Sequence, residues 1–175
     1  MEPHAVVDGS TVLRFVRAGL AAGLCDAIGG PVGLTPDALC PDEPATWRAG
    51  SLVRAALSRE RRVGGRGPVQ EFVNAGAAYW VAVDYGEAET RMASALRSRQ
   101  MNDVDLGGSW GAGTRGAQWL GAGNSEALAV AHLQDIPLLT CCALTLAVAR
   151  RFTPETELVD GALVMASLDR RREAS

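Results

Sequence analysis

Short apolar runs alternate along this chain with longer stretches whose apolar residues recur every three to four positions, and that alternation predicts an α/β protein. His4-Ala-Val-Val-Asp8 is a brief β-rich run ending in an acid. Gly9-Ser10-Thr11 then offers a helix start before Val12, Phe15, Val16 and Leu20, which share one helical face. A second short helix over 20–28 ends at Gly29-Gly30. Residues 31–35 read as a second strand, and Pro36 suits the first turn of a further helix carrying Asp37. Ala45 to Arg61 forms an amphipathic pattern with Trp47, Leu52, Val53, Ala56 and Leu57 on one side, which predicts a helix. Its terminal Arg59, Arg61 and Arg62 suit a helix C-terminus and read as a solvated face.

The same alternation continues after a Gly-rich loop at 64–68. Residues 79–83 predict a strand, and 87–99 a helix with Met92, Ala95 and Leu96 inward. Glu87 and Glu89 favour the first turn of that helix electrostatically. Between 102 and 121 periodicity vanishes in a Gly/Trp-rich stretch, expected to be a loop insertion. Trp110, Arg115 and Trp119 within it suit base stacking, although covering the core or docking a partner is the reading favoured there, since no basic cluster accompanies them. Beyond it come a helix with Leu128, Val130, Ala131 and Leu133 inward, capped by Asn124 or Ser125, and a turn at Asp135-Ile-Pro137. A buried strand at 137–140, a helix from Ala143 to Arg151, a last strand at 156–159 and a helix from Gly161 to Arg172 complete the chain. Strands alternating with helices predict a three-layer α/β/α sandwich on a central parallel sheet, folded as one domain over 1–175.

Charge and composition narrow the picture only modestly. The net charge of −3 does not advertise a nucleic-acid binder, but all 17 basic residues are Arg, a side chain whose planar fork suits phosphate. The Ala, Gly and Val excess points to codon bias as the source. No apolar run reaches bilayer length and no signal peptide is read at the N-terminus, so a cytoplasmic location without membrane contact is expected. Cys25, Cys40, Cys141 and Cys142 contain no C-x-x-C pair, and only two His accompany them, which argues against zinc. The adjacent Cys141 and Cys142 are expected as small buried hydrophobes. A strand end followed by a helix is also where a thiol's pKa can fall, so a thiol-based function is a third reading.

Two segments carry more. Residues 6–24, VVDGSTVLRFVRAGLAAGL, and 121–149, GAGNSEALAVAHLQDIPLLTCCALTLAVA, resemble the PIN-domain nucleases. The branch concerned has VVDxSxLxxxxRAGxLxxL near its N-terminus and GxGEAEAxALAxxxxxxLLTDDxxAxxxA near its C-terminus. The two matches keep their order and bracket most of the chain, while 45–120 agrees only in rhythm. The resemblance implies a PIN-like fold and a Mg²⁺- or Mn²⁺-dependent ribonuclease, commonly the toxin of a toxin–antitoxin pair. RNA, a cognate antitoxin or another protein, and a second copy of the chain are the partners it brings into view. Such a site is acidic because Mg²⁺ takes oxygen ligands and is held by a few carboxylates plus the substrate phosphate.

Carried over by position, Asp8 matches the family's first acid and Glu43 the second, with Asp42 an alternative. Glu126 matches the second glutamate of GEAEA, and Asn124 stands where the first would be. Asp8, Glu43 and Glu126 are thus the expected catalytic and metal-binding set, with Ser10, Thr140 and Arg115 on the substrate side. The family's Thr-Asp-Asp is here Thr140-Cys141-Cys142, so both acids are replaced by thiols. Soft sulfur is a poor ligand for hard Mg²⁺. Asp103 or Asp105 from the loop could fill the gap. A catalytically inactive PIN-like domain, kept to bind RNA or protein, is the alternative that these substitutions raise.

Overall fold

The computed structural model describes residues 2–35, 58–60, 62–63, 67, 71, 80–99 and 119–174, together with the backbone of 40–43 and 46–49. Five strands form one parallel sheet: β1 (Ala5–Val7), β2 (Val32–Leu34), β5 (Trp80–Ala82), β6 (Leu138–Thr140) and β7 (Leu158–Asp160), in the order β5-β2-β1-β6-β7. Burial on both faces explains why β1, β2 and β6 carry near-continuous apolar runs rather than alternating ones.

Successive residues of a strand still point to opposite faces, and the two cores sort them accordingly. Val7 and Leu139 join the core under α1 (Gly9–Arg17), α2 (Ala21–Ile28) and α6 (Gly161–Glu173). Val6 and Leu138 join the core under α3 (Glu87–Arg97), α4 (Ala122–Gln134) and α5 (Ala143–Phe152). The result is the three-layer α/β/α sandwich expected from the alternation.

Several boundaries follow from local chemistry. Gly29 ends α2 with φ +76°, a conformation that a glycine adopts without strain. Asp135 ends α4 at φ 54° and turns the chain into β6. The expected capping of α4 by Asn124 or Ser125 is not what is seen. That helix begins at Ala122 behind Gly121, so both residues lie inside its first turn. Ser125 bonds the Ala122 carbonyl instead, and the Asn124 amide crosses to the Thr145 hydroxyl at 2.9 Å, tying α4 to α5.

The largest departure concerns the start of the helix expected from Ala45 to Arg61, of which 58–60 are helical as expected. Cys40–Glu43 forms β3 and Thr46–Ala49 forms β4, an antiparallel hairpin outside the main sheet, with a register shift between Pro41 and Glu43. Trp47 and Thr46 are residue types that favour a strand, and strand pairing overrides the helical spacing there. The helix expected to follow Pro36 and the loop insertion at 102–121 fall outside the described residues, apart from 119–121. Trp119 is 54% exposed and so does not serve the core.

Candidate functional site at the carboxyl edge of the sheet

Parallel strands present all their C-terminal ends along one edge, which is where open α/β sheets place ligands. β1, β6 and β7 are neighbours in the sheet, so Asp8, the Thr140-Cys141-Cys142 run and Asp160 meet along this edge. Thr140 pairs directly with Asp160 across β6 and β7. Val7 pairs with Leu139, and continuing that register sets Asp8 beside Thr140.

Asp8 has extended backbone and caps α1. Its carboxylate is fully buried and accepts three hydrogen bonds: from the Ser10 hydroxyl (2.5 Å), the Thr11 amide (2.9 Å) and the Thr11 hydroxyl (3.1 Å). An ionised carboxylate offers about four acceptor positions, so most of its capacity is used within its own helix turn. Ser10, expected on the substrate side, spends its hydroxyl on Asp8. The Thr11 hydroxyl also accepts the Cys141 amide at 2.8 Å, which links α1 to the end of β6. Thr140 is fully buried, and its hydroxyl accepts the Cys142 amide at 2.9 Å.

The thiols at 141 and 142 face different ways. Cys141 packs against the α1 side and Cys142 against the α4 side, as alternation along an extended segment requires. Burial pushes the Cys141 thiol above its ordinary pKa. The Thr11 hydrogen bond and the charge of Arg14 oppose that rise, while the charges of Asp8 and Asp160 add to it. A thiol whose pKa is raised by burial is a poor nucleophile at neutral pH. This geometry removes the support for the thiol-based reading.

Asp160 is the residue that motif matching missed. It ends β7 and caps α6, its Oδ1 accepting the Ala162 amide at 2.8 Å and the Leu163 amide at 3.3 Å. The signal was present in the chain: Leu158-Val-Asp-Gly-Ala162 repeats the pattern of Val6-Val-Asp-Gly-Ser10. Both segments are a strand end, a capping aspartate and a glycine that opens a helix. Gly161 is needed because a Cβ there would lie 2.7 Å from Cys141 Sγ and 3.1 Å from the Thr140 carbonyl carbon.

The remaining expected site residues lie on other elements. Glu126 is half-buried early in α4, and its negative charge helps raise the pKa of the Tyr85 phenol, after burial as the main cause. Glu43 closes β3, and its side chain, like those of Asp42, Asp103, Asp105 and Arg115, lies outside the described residues. Among the described residues no three His, Cys, Asp or Glu side chains converge as metal ligands. The donors that are described at this edge fit Mg²⁺ poorly: Asp8 is engaged by three donors and Asp160 by two helix amides, with sulfur beside them. No helix among the described residues is long and apolar enough to cross a membrane. No family model and no curated protein matches the chain.

Proposed function

We propose that this is a PIN-like domain in which metal-dependent cleavage of RNA has given way to binding, with RNA or a protein as the partner. The observation that carries the reading is the state of Asp8. Its carboxylate is wholly buried and holds three internal donors, and the Thr11 hydroxyl that bonds it also bonds the amide of Cys141, where the resembling family has an acid. A metal ion there would meet a buried carboxylate with three of its about four acceptor positions already taken by donors at the start of α1. The Asn124 amide, at the place of the family's first glutamate, is likewise spent on joining α4 to α5.

A second reading, a residual Mg²⁺- or Mn²⁺-dependent ribonuclease of the toxin type, draws on Asp160. That exposed carboxylate adds negative charge to the same edge, beside the thiols that replace the acids. The two readings part on one assay. Purified protein is incubated with labelled RNA and Mn²⁺, alongside a variant carrying Cys141→Asp and Cys142→Asp. An inert parent and a cleaving double variant support loss of catalysis on an otherwise competent scaffold. Metal-dependent cleavage by the parent that disappears in Asp8→Asn and Glu126→Gln overturns it in favour of the nuclease.

A further inference from the structure

The solvent side of α1 is made of arginine. Arg14 and Arg17 are the exposed residues of that helix, and its large apolar side chains, Val12, Leu13, Phe15 and Val16, are all buried. Three positions apart, the two arginines are neighbours on the helix surface. Arg172 reaches over from the end of α6 and donates from Nη1 to the Ala18 carbonyl at 3.1 Å. That contact sets its guanidinium against the turn that carries Arg14 and Arg17, since the Ala18 amide donates to the Arg14 carbonyl. Arg172 also pairs with Asp169 at 3.5 Å. Among the described residues no carboxylate stands within ion-pairing distance of Arg14 or Arg17. The charge of Arg14 is felt at Cys141, so the basic strip starts beside the carboxyl edge and leads away from it along α1. A cation at a helix C-terminus complements the helix dipole, and Arg172 does so directly through Ala18. Two more like charges on neighbouring positions repel one another, an arrangement that an external anion relieves.

We propose that the exposed side of α1 docks the phosphodiester backbone of an RNA strand through Arg14 and Arg17. The inference rests on the binding reading above and commits it to RNA. Guanidinium forks match phosphate oxygens in a planar, two-bonded geometry. α1 exposes no aromatic ring on which a base could stack, so recognition here is by charge and is tolerant of base sequence. A protein partner expects an apolar centre in its interface, whereas nucleic-acid interfaces are polar and rich in positive charge. A helix whose exposed residues are both arginine fits the second description.

The test is fluorescence anisotropy of a short labelled uridine-rich RNA with the full chain, across NaCl concentrations from about 50 to 200 mM. Each phosphate contact on a single strand contributes about 0.7 to the slope of log K against log [salt]. The Arg14→Gln/Arg17→Gln double variant is therefore expected to lose about 1.4 from that slope, with binding weakened on the order of tenfold at low salt. Circular dichroism should match that of the parent, since both side chains are exposed. The control is Arg91→Gln/Arg150→Gln, which removes the same charge from exposed positions on α3 and α5, across the sheet, and should keep the parent slope. RNA binding with an unchanged slope in the α1 variant, or an equal loss in the control, overturns the α1 surface and leaves the binding reading standing. Absence of RNA binding at the lowest salt overturns RNA as the partner as well. Tighter binding of labelled polyglutamate than of RNA of equal charge overturns the proposal in favour of an acidic protein segment.

Discussion

The backbone amide of Cys141 donates to the hydroxyl of Thr11 at 2.8 Å, across 130 positions of sequence. That hydroxyl in turn donates a hydrogen bond to Asp8 Oδ2, so a single side chain joins the start of α1, the end of β6 and the buried acid. The edge of the sheet where ligands would be sought is stitched together by its own polar groups. This is the physical ground for reading the edge as structurally committed rather than catalytic.

Removing that link should be felt in stability. Thr11→Val keeps the shape but strands the Cys141 amide and one Asp8 oxygen in a buried setting, for a loss of about 2–4 kcal/mol. Thr11→Ser preserves both bonds and should lose under about 1 kcal/mol through the missing methyl group. Urea unfolding followed by circular dichroism separates the two. Equal midpoints for valine and serine variants would mean that the hydroxyl does not matter.

Asp8 and Asp160 play the same part in two similar turns, yet they differ in burial. Asp160→Ala removes an exposed cap and is expected to destabilise by about 1 kcal/mol. Asp8→Ala deprives three buried donors of their acceptor and should lose about 2–3 kcal/mol or more. A comparison of denaturation midpoints checks the ordering, and a larger loss at Asp160 would contradict the burial argument.

Gly161 is constrained by its neighbours. In Gly161→Ala the new Cβ meets Cys141 Sγ and the Thr140 backbone, so the end of β6 must shift, at a penalty of about 1–3 kcal/mol. Gly121→Ala is the control, since nothing lies within 4 Å of a Cβ at that position. Thermal melts should show a lowered midpoint for the first variant and little change for the second.

The thiols define an alkaline limit. Burial raises the folded-state pKa of Cys25 and Cys141 above the ordinary 9.0. A raised pKa means that folding favours the protonated thiol. The stability this confers is therefore complete below the unfolded value and is lost as pH rises through the folded one. Denaturation midpoints are expected to be flat in this respect at neutral pH and to fall above about pH 9. Cys141 should also alkylate more slowly than free cysteine in native protein at pH 8, read by mass spectrometry of iodoacetamide-treated samples. Labelling as fast as in urea would refute the burial of the thiol. Since Cys141 and Cys142 face opposite layers, mild oxidation should leave them unbridged.

Much of the fold was legible because the signals are local. Apolar runs such as Leu138-Leu139 mark strands buried on both faces, and Gly29 marks a helix end wherever it stands in space. The start of the helix expected over 45–61 shows where local signals fail: 58–60 are helical, but pairing of Thr46–Ala49 with Cys40–Glu43 is a contact between segments. The position of Asp8 at a strand end was equally readable.

By itself, the sequence determined the α/β class and the placing of the main strands, since each depends on residues near one another in the chain. Tertiary structure alone decided what those residues do. The order of β1, β6 and β7 brings Asp160 to Cys141, and burial turns Asp8 from an open carboxylate into the acceptor of three internal donors. Charge, solvation and hydrogen-bond capacity are properties of surroundings in space, which is why a carboxylate legible as a metal ligand in one dimension is a helix cap in three.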